Sequence, residues 1–526
     1  MALSELFVAL PLVSSGVPIS QIIAIYLAFG FVSWYFITSL TAWYRLKDFP
    51  GPPTTGFSNI WSAKAVWTGQ THKIFPQAQE KYGPLTRIGP NSLLVADAAA
   101  AANMNTVRGS YTRSADWYLA ARLDPWDTTI VSETDSAVHS ERKTKLYGGF
   151  NGKGEMDMEK DINVVISNAL ELVRTKYMHT ATSGPKPYLD FTHLSRYMAV
   201  DSITLVGFGQ AWNNVGEEKD HYSWLHTLDR SIRLLLTLSY LPHVSRILFW
   251  KPIMSLIAPK PTDKGGMGLI LGVIKKEVAR RFKDGQAHGT PVRSVVGHTN
   301  MLDEWVKTGM TQRSIELEVT TQLSAGTDTT SSAMQGTMLW LLSTPSAYAR
   351  LKAEIALAIR EGRISSPITH EEARKLPYLQ AVLNEGLRMM PPVMCGFPRS
   401  VPPEGDMVCG RFVPGGTDLH INYIGMLQDK RIFGHDAHLF RPERYLEGDE
   451  EHRNMMFKTT DLAFSTGRWK CLGQKMAWMQ LEKVFVEFLR NFDLQIPNPH
   501  TPCTLRAYCL PEMDDFMIRV TEAKME

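Results

Sequence analysis

A mainly α-helical protein behind an N-terminal membrane helix is what the sequence predicts, on three observations. No charged residue stands between Glu5 and Arg45, and Ile22 to Trp43 is almost wholly apolar or aromatic. Downstream, apolar residues recur at helical spacing over long stretches, most clearly within 311–343 and 477–489. Strand signals are short. The clearest is Leu85 to Ala96, where β-branched residues and a Gly-Pro-Asn turn suggest a hairpin.

With 526 residues and 44% apolar content, the chain can bury a large core. Lys+Arg at 56 nearly balances Asp+Glu at 53, so nothing points to a nucleic-acid partner, and any basic patch is local. The cysteines are Cys395, Cys409, Cys471, Cys503 and Cys509. None forms a Cys-x-x-Cys pair, which argues against a zinc site, and an odd, sparse set does not suggest a disulfide framework. No Asn-x-Ser/Thr acceptor occurs, in keeping with a catalytic domain on the cytosolic side.

Ile22 to Trp43 has the roughly 20 residues that a bilayer-spanning helix needs. A cleaved signal peptide is the rival reading, but it needs a basic start and an apolar run of roughly 7–15 residues. Here the start carries Glu5 and the run is longer. Arg45 and Lys47 follow the span, and the positive-inside bias places what comes next in the cytosol. Residues 1–48 are therefore expected to form the anchor and 49–526 the catalytic domain. Phe49-Pro50-Gly51-Pro52-Pro53 cannot be helical and reads as a stiff hinge.

Ser110 to Ser132 is aromatic and polar without a helical period, and residues 160–310 are mostly helical in pattern. Gly265-Gly266-Met267-Gly268 and Gly272 fail the dinucleotide spacing, lack a preceding strand and read as a loop. No nucleotide-binding domain is evident in the sequence. Thr344-Pro345 starts a helix with its N-cap and first position. Tyr378 to Met389 forms another, in which Glu385 and Arg388 share a face.

Two stretches carry chemistry. In Phe464-Ser465-Thr466-Gly467-Arg468-Trp469-Lys470-Cys471-Leu472-Gly473, a cysteine sits in a loop that opens a helix. Backbone N–H groups, the helix dipole and basic neighbours are expected to lower its pKa there. A thiolate so held is a soft ligand suited to haem iron, and Gly467 and Gly473 let backbone approach a flat macrocycle. The second stretch, Thr311 to Ser343, keeps a helical beat on both flanks. Its centre, Ala325-Gly326-Thr327-Asp328-Thr329-Thr330, is poor helix-forming sequence. A weak centre in a long helix predicts a local distortion kept for function, for instance by a hydroxyl bonding a backbone carbonyl. Small Ala325 and Gly326 leave room for dioxygen opposite Cys471. Asp328 and Thr329 suit an acid–alcohol relay that delivers protons to it.

The cysteine string resembles the haem-binding loop of the cytochrome P-450 superfamily, as some filamentous-fungal members have it. That pattern reads Phe, two residues, Gly, one, Arg, one, Cys, one, Gly. Phe464, Gly467, Cys471 and Gly473 match it. Trp469 takes the Arg position, and Arg468 stands one place earlier. The family's Arg binds a haem propionate, which makes Arg468 a candidate contact. Residues 325–330 match the family's Ala/Gly-Gly-x-Asp/Glu-Thr-Thr signature at every position. Phe433 to Arg444 resembles the family's meander lead-in, whose Arg444 completes a buried triad with Glu385 and Arg388. Arg399, in Gly396-Phe397-Pro398-Arg399, matches a strand arginine that binds a propionate and is favoured over Arg468. The charged run after His139 offers Arg142 or Lys143 for the same purpose. The 110–132 stretch corresponds to the loop roofing the substrate pocket, with Trp117, Tyr118 and Trp126 as lining candidates. Gly148-Gly149-Phe150-Asn151-Gly152-Lys153 looks like a Gly-Tyr-Ser-Gly-Lys segment of certain fungal members.

The resemblance implies a mainly α fold with a small β-rich subdomain and haem b between two long helices. It implies a membrane-anchored monooxygenase in the endoplasmic reticulum, with its catalytic domain in the cytosol. NADPH–cytochrome P-450 reductase would supply electrons, with cytochrome b5 as a second donor. The other partners would be membrane lipid and a small apolar substrate, such as a secondary metabolite. Two alternatives stand beside it: a haem-thiolate isomerase or dehydratase without reductase, and a membrane-tethered haem sensor. Neither needs the intact Asp328-Thr329 pair.

Overall fold

The computed structural model describes residues 18–152, 154–180, 186–283, 286–287 and 297–523. Glu5 and Lys153 lie outside the described residues. Helix α1 (Ile19–Arg45) contains the apolar run from Ile22 to Trp43, and its apolar window has a mean hydropathy of 1.8. Leu27 and Phe29 remain 69% and 70% exposed, so protein does not cover them.

The end of α1 is fastened rather than free. Buried Arg87 donates to the carbonyls of Ala42 (3.0 Å) and Trp43 (3.2 Å) in the last turn of the helix, the former also accepting from the Leu46 N–H at 3.3 Å. The Arg87 N–H donates to Pro50 O at 2.8 Å, and a Cβ on Gly51 would stand 2.2 Å from Arg87 O. The proline segment is therefore docked onto the domain, and the sequence-level picture of a stiff spacer lacks this contact.

Five short strands form the sheet nearest the site: β1 (Leu85–Gly89), β2 (Ser92–Val95), β3 (Thr112–Arg113), β4 (Cys395–Ser400) and β5 (Asp418–Asn422). Their order is β1-β2-β5-β4-β3, antiparallel except for β2 beside β5. The expected hairpin is β1–β2. The β3–β4 register sets Arg113 opposite Arg399.

The rest is mainly helical. Five helices build the site: α2 (Ser136–Asn151), α3 (Phe191–Phe208), α4 (Gln312–Leu342), α5 (Pro377–Met389) and α6 (Gln474–Asn491). Helix α4 packs on α3, α5 and α6, and it buries residues around most of its circumference. Val319, Leu323, Met334, Leu383 and Phe485 belong to the one large core these helices share.

Two sequence expectations are corrected. Helix α4 runs unbroken for 31 residues. Its threonine hydroxyls bond carbonyls four residues back, Thr327 to Leu323 O and Thr329 to Ala325 O, without interrupting the ladder. The glycine-rich 265–272 segment is not a loop, because Gly266–Ala279 is a helix. A Cβ on Gly268 would stand 2.4 Å from Lys260 O, and one on Gly272 2.4 Å from Pro261 O. These glycines let the preceding turn lie against the helix. In the 110–132 stretch, Ser114 caps a short helix, Ala115–Ala120, that the aperiodic sequence concealed.

Candidate active site

Helices α4 and α6 face each other across a cavity of about 380 Å³. Cys471, Phe464 and Gly473 lie on one wall, and Ala325, Gly326 and Thr329 on the other. The loop before α6 is bent to present the sulfur. Its Phe464 O accepts the Cys471 N–H at 2.8 Å, while Ser465 and Gly467 take φ of 57° and 56°. At Gly467 only glycine fits, since a Cβ would lie 2.0 Å from Asn105 O. The N–H groups of Gly473 and Gln474 point at the Cys471 sulfur.

The thiol's pKa departs from the sequence expectation. Burial raises it, and the Gly473 N–H, Lys143, the Gln474 N–H and Lys470 pull it back only in part. The side chain is open to the cavity yet enclosed by protein elsewhere, so desolvation outweighs the helix terminus.

This donor set suits a metal that brings its own equatorial ligands. Among the described residues, no three His, Cys, Asp or Glu side chains group to hold an ion. One sulfur facing a broad apolar slot fits a haem better than a bare cation. The slot's edge is cationic. Arg399 is 5% exposed and bonds Asn105 Oδ1 (3.0 Å), Tyr118 OH (2.9 Å) and Phe397 O (2.9 Å). Arg113 lies beside it with a buried, unpartnered Nε, and the His139 Nδ1 is also unpartnered. Burial lowers Arg113 to about 10, aided by Arg399. Unmet donors at one edge match the carboxylates of a porphyrin.

Trp469 explains how these cations tolerate each other. Its ring lies 4.4 Å from the Arg113 guanidinium, 5.0 Å from that of Arg399 and 4.4 Å from the His139 ring. An aromatic face thus stands where the family pattern has a further positive charge. Burial, with Arg113 and Lys143 next, pushes His139 down to about 3, so it is neutral.

Three of the candidates are engaged by protein groups. Arg468 points outward to Val107 O at 2.7 Å and is not in the cavity wall. Arg142 turns away toward Glu318 (3.4 Å) and Glu133 (3.8 Å) because those carboxylates lie behind the roof loop. Lys143 does reach the wall, but its Nζ donates to the carbonyls of Arg468 (2.8 Å) and Lys470 (3.1 Å), bracing the loop. Of the roof aromatics, Tyr118 lines the cavity, Trp117 packs behind it and Trp126 is 45% exposed. Arg113 was missed by sequence reading. Only its register opposite Arg399 marks it.

On α4 the Thr329 hydroxyl faces the cavity and donates to Ala325 O at 2.6 Å. A Cβ on Gly326 would meet Ile203 Cδ1 at 3.0 Å, so this glycine lets α3 cross closely. Asp328 points off the cavity and pairs with Arg196 at 3.0 Å, and Arg196 also bonds Asp229. Burial raises Asp328 to about 6, partly offset by Arg196. Burial lowers Arg196, but Asp328 and Asp229 more than compensate and hold it up. The 3.0 Å pairing favours an ionised Asp328 at neutral pH. Glu385, Arg388 and Arg444 form the expected buried triad.

The sequence profile of the cytochrome P-450 family matches residues 50–510. The chain is 34% identical over 480 residues to cytochrome P-450 monooxygenase aba1 of Botryotinia fuckeliana, covering 91% of this chain and 92% of that one. It is 35% identical over 496 residues to cytochrome P-450 monooxygenase ABA1 of Pyricularia oryzae, covering 93% and 95%. Pisatin demethylase of Fusarium vanettenii is 26% identical over 470 residues, covering 88% and 87%. A lone sulfur under a flat slot, a cationic slot edge and a match across nearly the whole chain agree: the chain belongs to the cytochrome P-450 family of haem-thiolate monooxygenases.

Proposed function

We propose that the Cys471 sulfur would hold haem b and that the cavity it lines takes a small apolar substrate of secondary metabolism. The carrying observation is the Cys471 sulfur, faced by two N–H groups and set across the cavity from Ala325, Gly326 and Thr329. When bound, the haem supplies reductive activation of dioxygen and transfer of one oxygen atom to a C–H or C=C bond. The chain's part is to hold and to exclude. Arg399, with Arg113 beside it, would bind the propionates, and Lys143 keeps the loop in register. Ile130, Ile203, Leu236 and Phe397 give the wall its apolar character.

The Thr329 hydroxyl is placed to hold water or share a proton at the cavity face. Asp328, Arg196 and Asp229 form a polar path behind it toward the surface, where Asp229 is 32% exposed. This path supports a proton supply on the α4 side. Electrons would come from NADPH through NADPH–cytochrome P-450 reductase, with cytochrome b5 as a second donor. Exposed α1 suits a single span in membrane lipid of the endoplasmic reticulum. Arg45 and Lys47 at its end favour residues 49–526 in the cytosol. The fungal origin of the relatives, one of them a demethylase by name, supports secondary metabolism.

The reduced, carbon-monoxide-bound protein tests the reading. It should show the red-shifted Soret band of thiolate ligation, and Cys471→Ser should abolish it. Serine at half-buried Cys409 or Cys503 should leave the band intact. A band that survives Cys471→Ser sinks the ligand assignment.

A further inference from the structure

The roof of the cavity is held by two side chains, Glu318 and Arg113, that grip one residue. The Ile130 N–H donates to both carboxylate oxygens of Glu318 on α4, at 2.9 and 3.2 Å. The Ile130 carbonyl accepts from Arg113 Nη1 at 2.7 Å, and the same nitrogen reaches Glu133 O at 2.9 Å. Thr129, Ile130 and Val131 all line the cavity, so this backbone sets how far the roof extends over it. The Glu318 side chain is 3% exposed and also lines the cavity. A carboxylate seldom lies so deep without a partner, and here its partners are the roof amide and Arg142 (3.4 Å).

The surrounding bonds point the same way. Arg142 donates to Thr128 O at 2.5 Å, and the Thr128 hydroxyl donates to Glu133 at 2.6 Å. Farther out, Arg313 on α4 pairs with Asp124 (2.7 Å) and Asp127 (3.3 Å) of the same loop. Helix α4 therefore holds the roof at an outer point, where Asp124 is buried beneath a half-exposed Arg313, and at an inner one, Glu318. The Arg313–Asp127 pair is exposed and contributes little. The inner one is a hydrogen bond to a side chain only 3% exposed, and an amide left there without its acceptor costs its desolvation.

We propose that Glu318 is the positioning residue of the cavity roof: by holding the Ile130 N–H while Arg113 holds its carbonyl, it sets which ligands fit above the haem and how fast they enter. The proposal rests on the haem reading above. Arg142, a propionate candidate by sequence, belongs to this latch instead.

Imidazole and the bulkier 1-benzylimidazole are suitable probes, since both bind ferric haem and neither requires the true substrate. Dissociation constants and association rates are read from the Soret shift in full-length wild type, Glu318→Gln, Glu318→Asp and Glu318→Ala. Glutamine keeps an acceptor at full reach and should stay within about two-fold of wild type. Alanine loses a buried hydrogen bond to a charge, and its association rate for 1-benzylimidazole should rise about ten-fold. Imidazole should change little, so the ratio of the two probes moves. Aspartate keeps the charge but falls one methylene short. It should shift the ratio in the same direction, and it carries the test if alanine loads no haem. An unchanged ratio in Glu318→Asp or Glu318→Ala, with a normal carbon-monoxide band, overturns the proposal. A wild type lacking that band refutes the haem reading itself.

Discussion

Glu385 and Arg388 are joined by two hydrogen bonds, of 2.7 and 2.8 Å, with neither side chain exposed. Arg444 adds a third bond to Glu385 at 3.0 Å and reaches Asp436 at 3.0 Å. Arg388 spends its remaining donors on the carbonyls of Leu427, Ala437 and Leu439. The triad thus ties α5 to the long segment before the cysteine loop. Removing one partner leaves a buried charge unpaired, at a cost of about 3–5 kcal/mol. Glu385→Ala and Arg388→Ala should each yield little haem-loaded protein, measured as Soret absorbance per mole of chain. Normal loading with only a slower turnover would show the triad to be dispensable for the fold.

Much of this was legible in the sequence, for physical reasons. Helical spacing located α4, α5 and α6, and the glycine pattern around Cys471 marked a loop whose backbone must approach something closely. What stayed hidden depends on which way a side chain points. Arg142 and Lys143 are adjacent, and no sequence rule says which faces the cavity. The answer lies in Glu318 and Glu133, distant in the chain, which draw Arg142 away. Arg113 was invisible because its strand is two residues long and pairs with a partner almost three hundred positions later. The Cys471 thiol was misjudged for another reason. Local sequence shows the helix terminus and the bases but not the depth of burial.

Lys145 and Lys470 are surface cations on the cysteine side. Each has only an exposed acid for company, Glu141 at 2.8 Å and Asp461 at 3.4 Å. Such pairs are weak enough for an acidic partner to displace. Lys143 and Arg142 face inward and are not available to such a partner. Lys145→Glu with Lys470→Glu should slow reduction by the reductase several-fold and flatten its salt dependence, while dithionite reduction stays unchanged. Unaltered reductase kinetics would remove this face from consideration.

Asp328 should leave a signature in pH. Its folded-state pKa, about 6, lies above the ordinary value of 3.8. Its protonated form is therefore favoured by folding. That stabilisation is complete below the ordinary value and is lost as pH rises through about 6. The span corresponds to about 3 kcal/mol at most. Melting curves of wild type and Asp328→Asn should diverge with rising pH between about 4 and 6, wild type losing stability relative to the variant. Product formation should change slope near pH 6 in wild type and not in the variant. Superimposable pH profiles would place Asp328 outside the proton path.

Thr329 separates chemistry from scaffold most cleanly. Its hydroxyl already has a partner in Ala325 O, four residues back at 2.6 Å, so the helix does not need it for its ladder. The oxygen still has lone pairs open to the cavity, where it can order water and accept or pass a proton. It touches neither Cys471 nor the cationic edge. Thr329→Ala should therefore bind haem normally and keep the carbon-monoxide band. With a turned-over substrate it should continue to consume NADPH, yet release more hydrogen peroxide and form less product per NADPH. The loss in coupling should be about ten-fold or more if the hydroxyl positions the proton. Thr329→Ser, which keeps the hydroxyl, should recover most of it. An isomerase or a sensor would have no NADPH-linked product to lose. If coupling is the same in wild type, serine and alanine proteins, the hydroxyl is part of the helix only, and protons reach the cavity by another route.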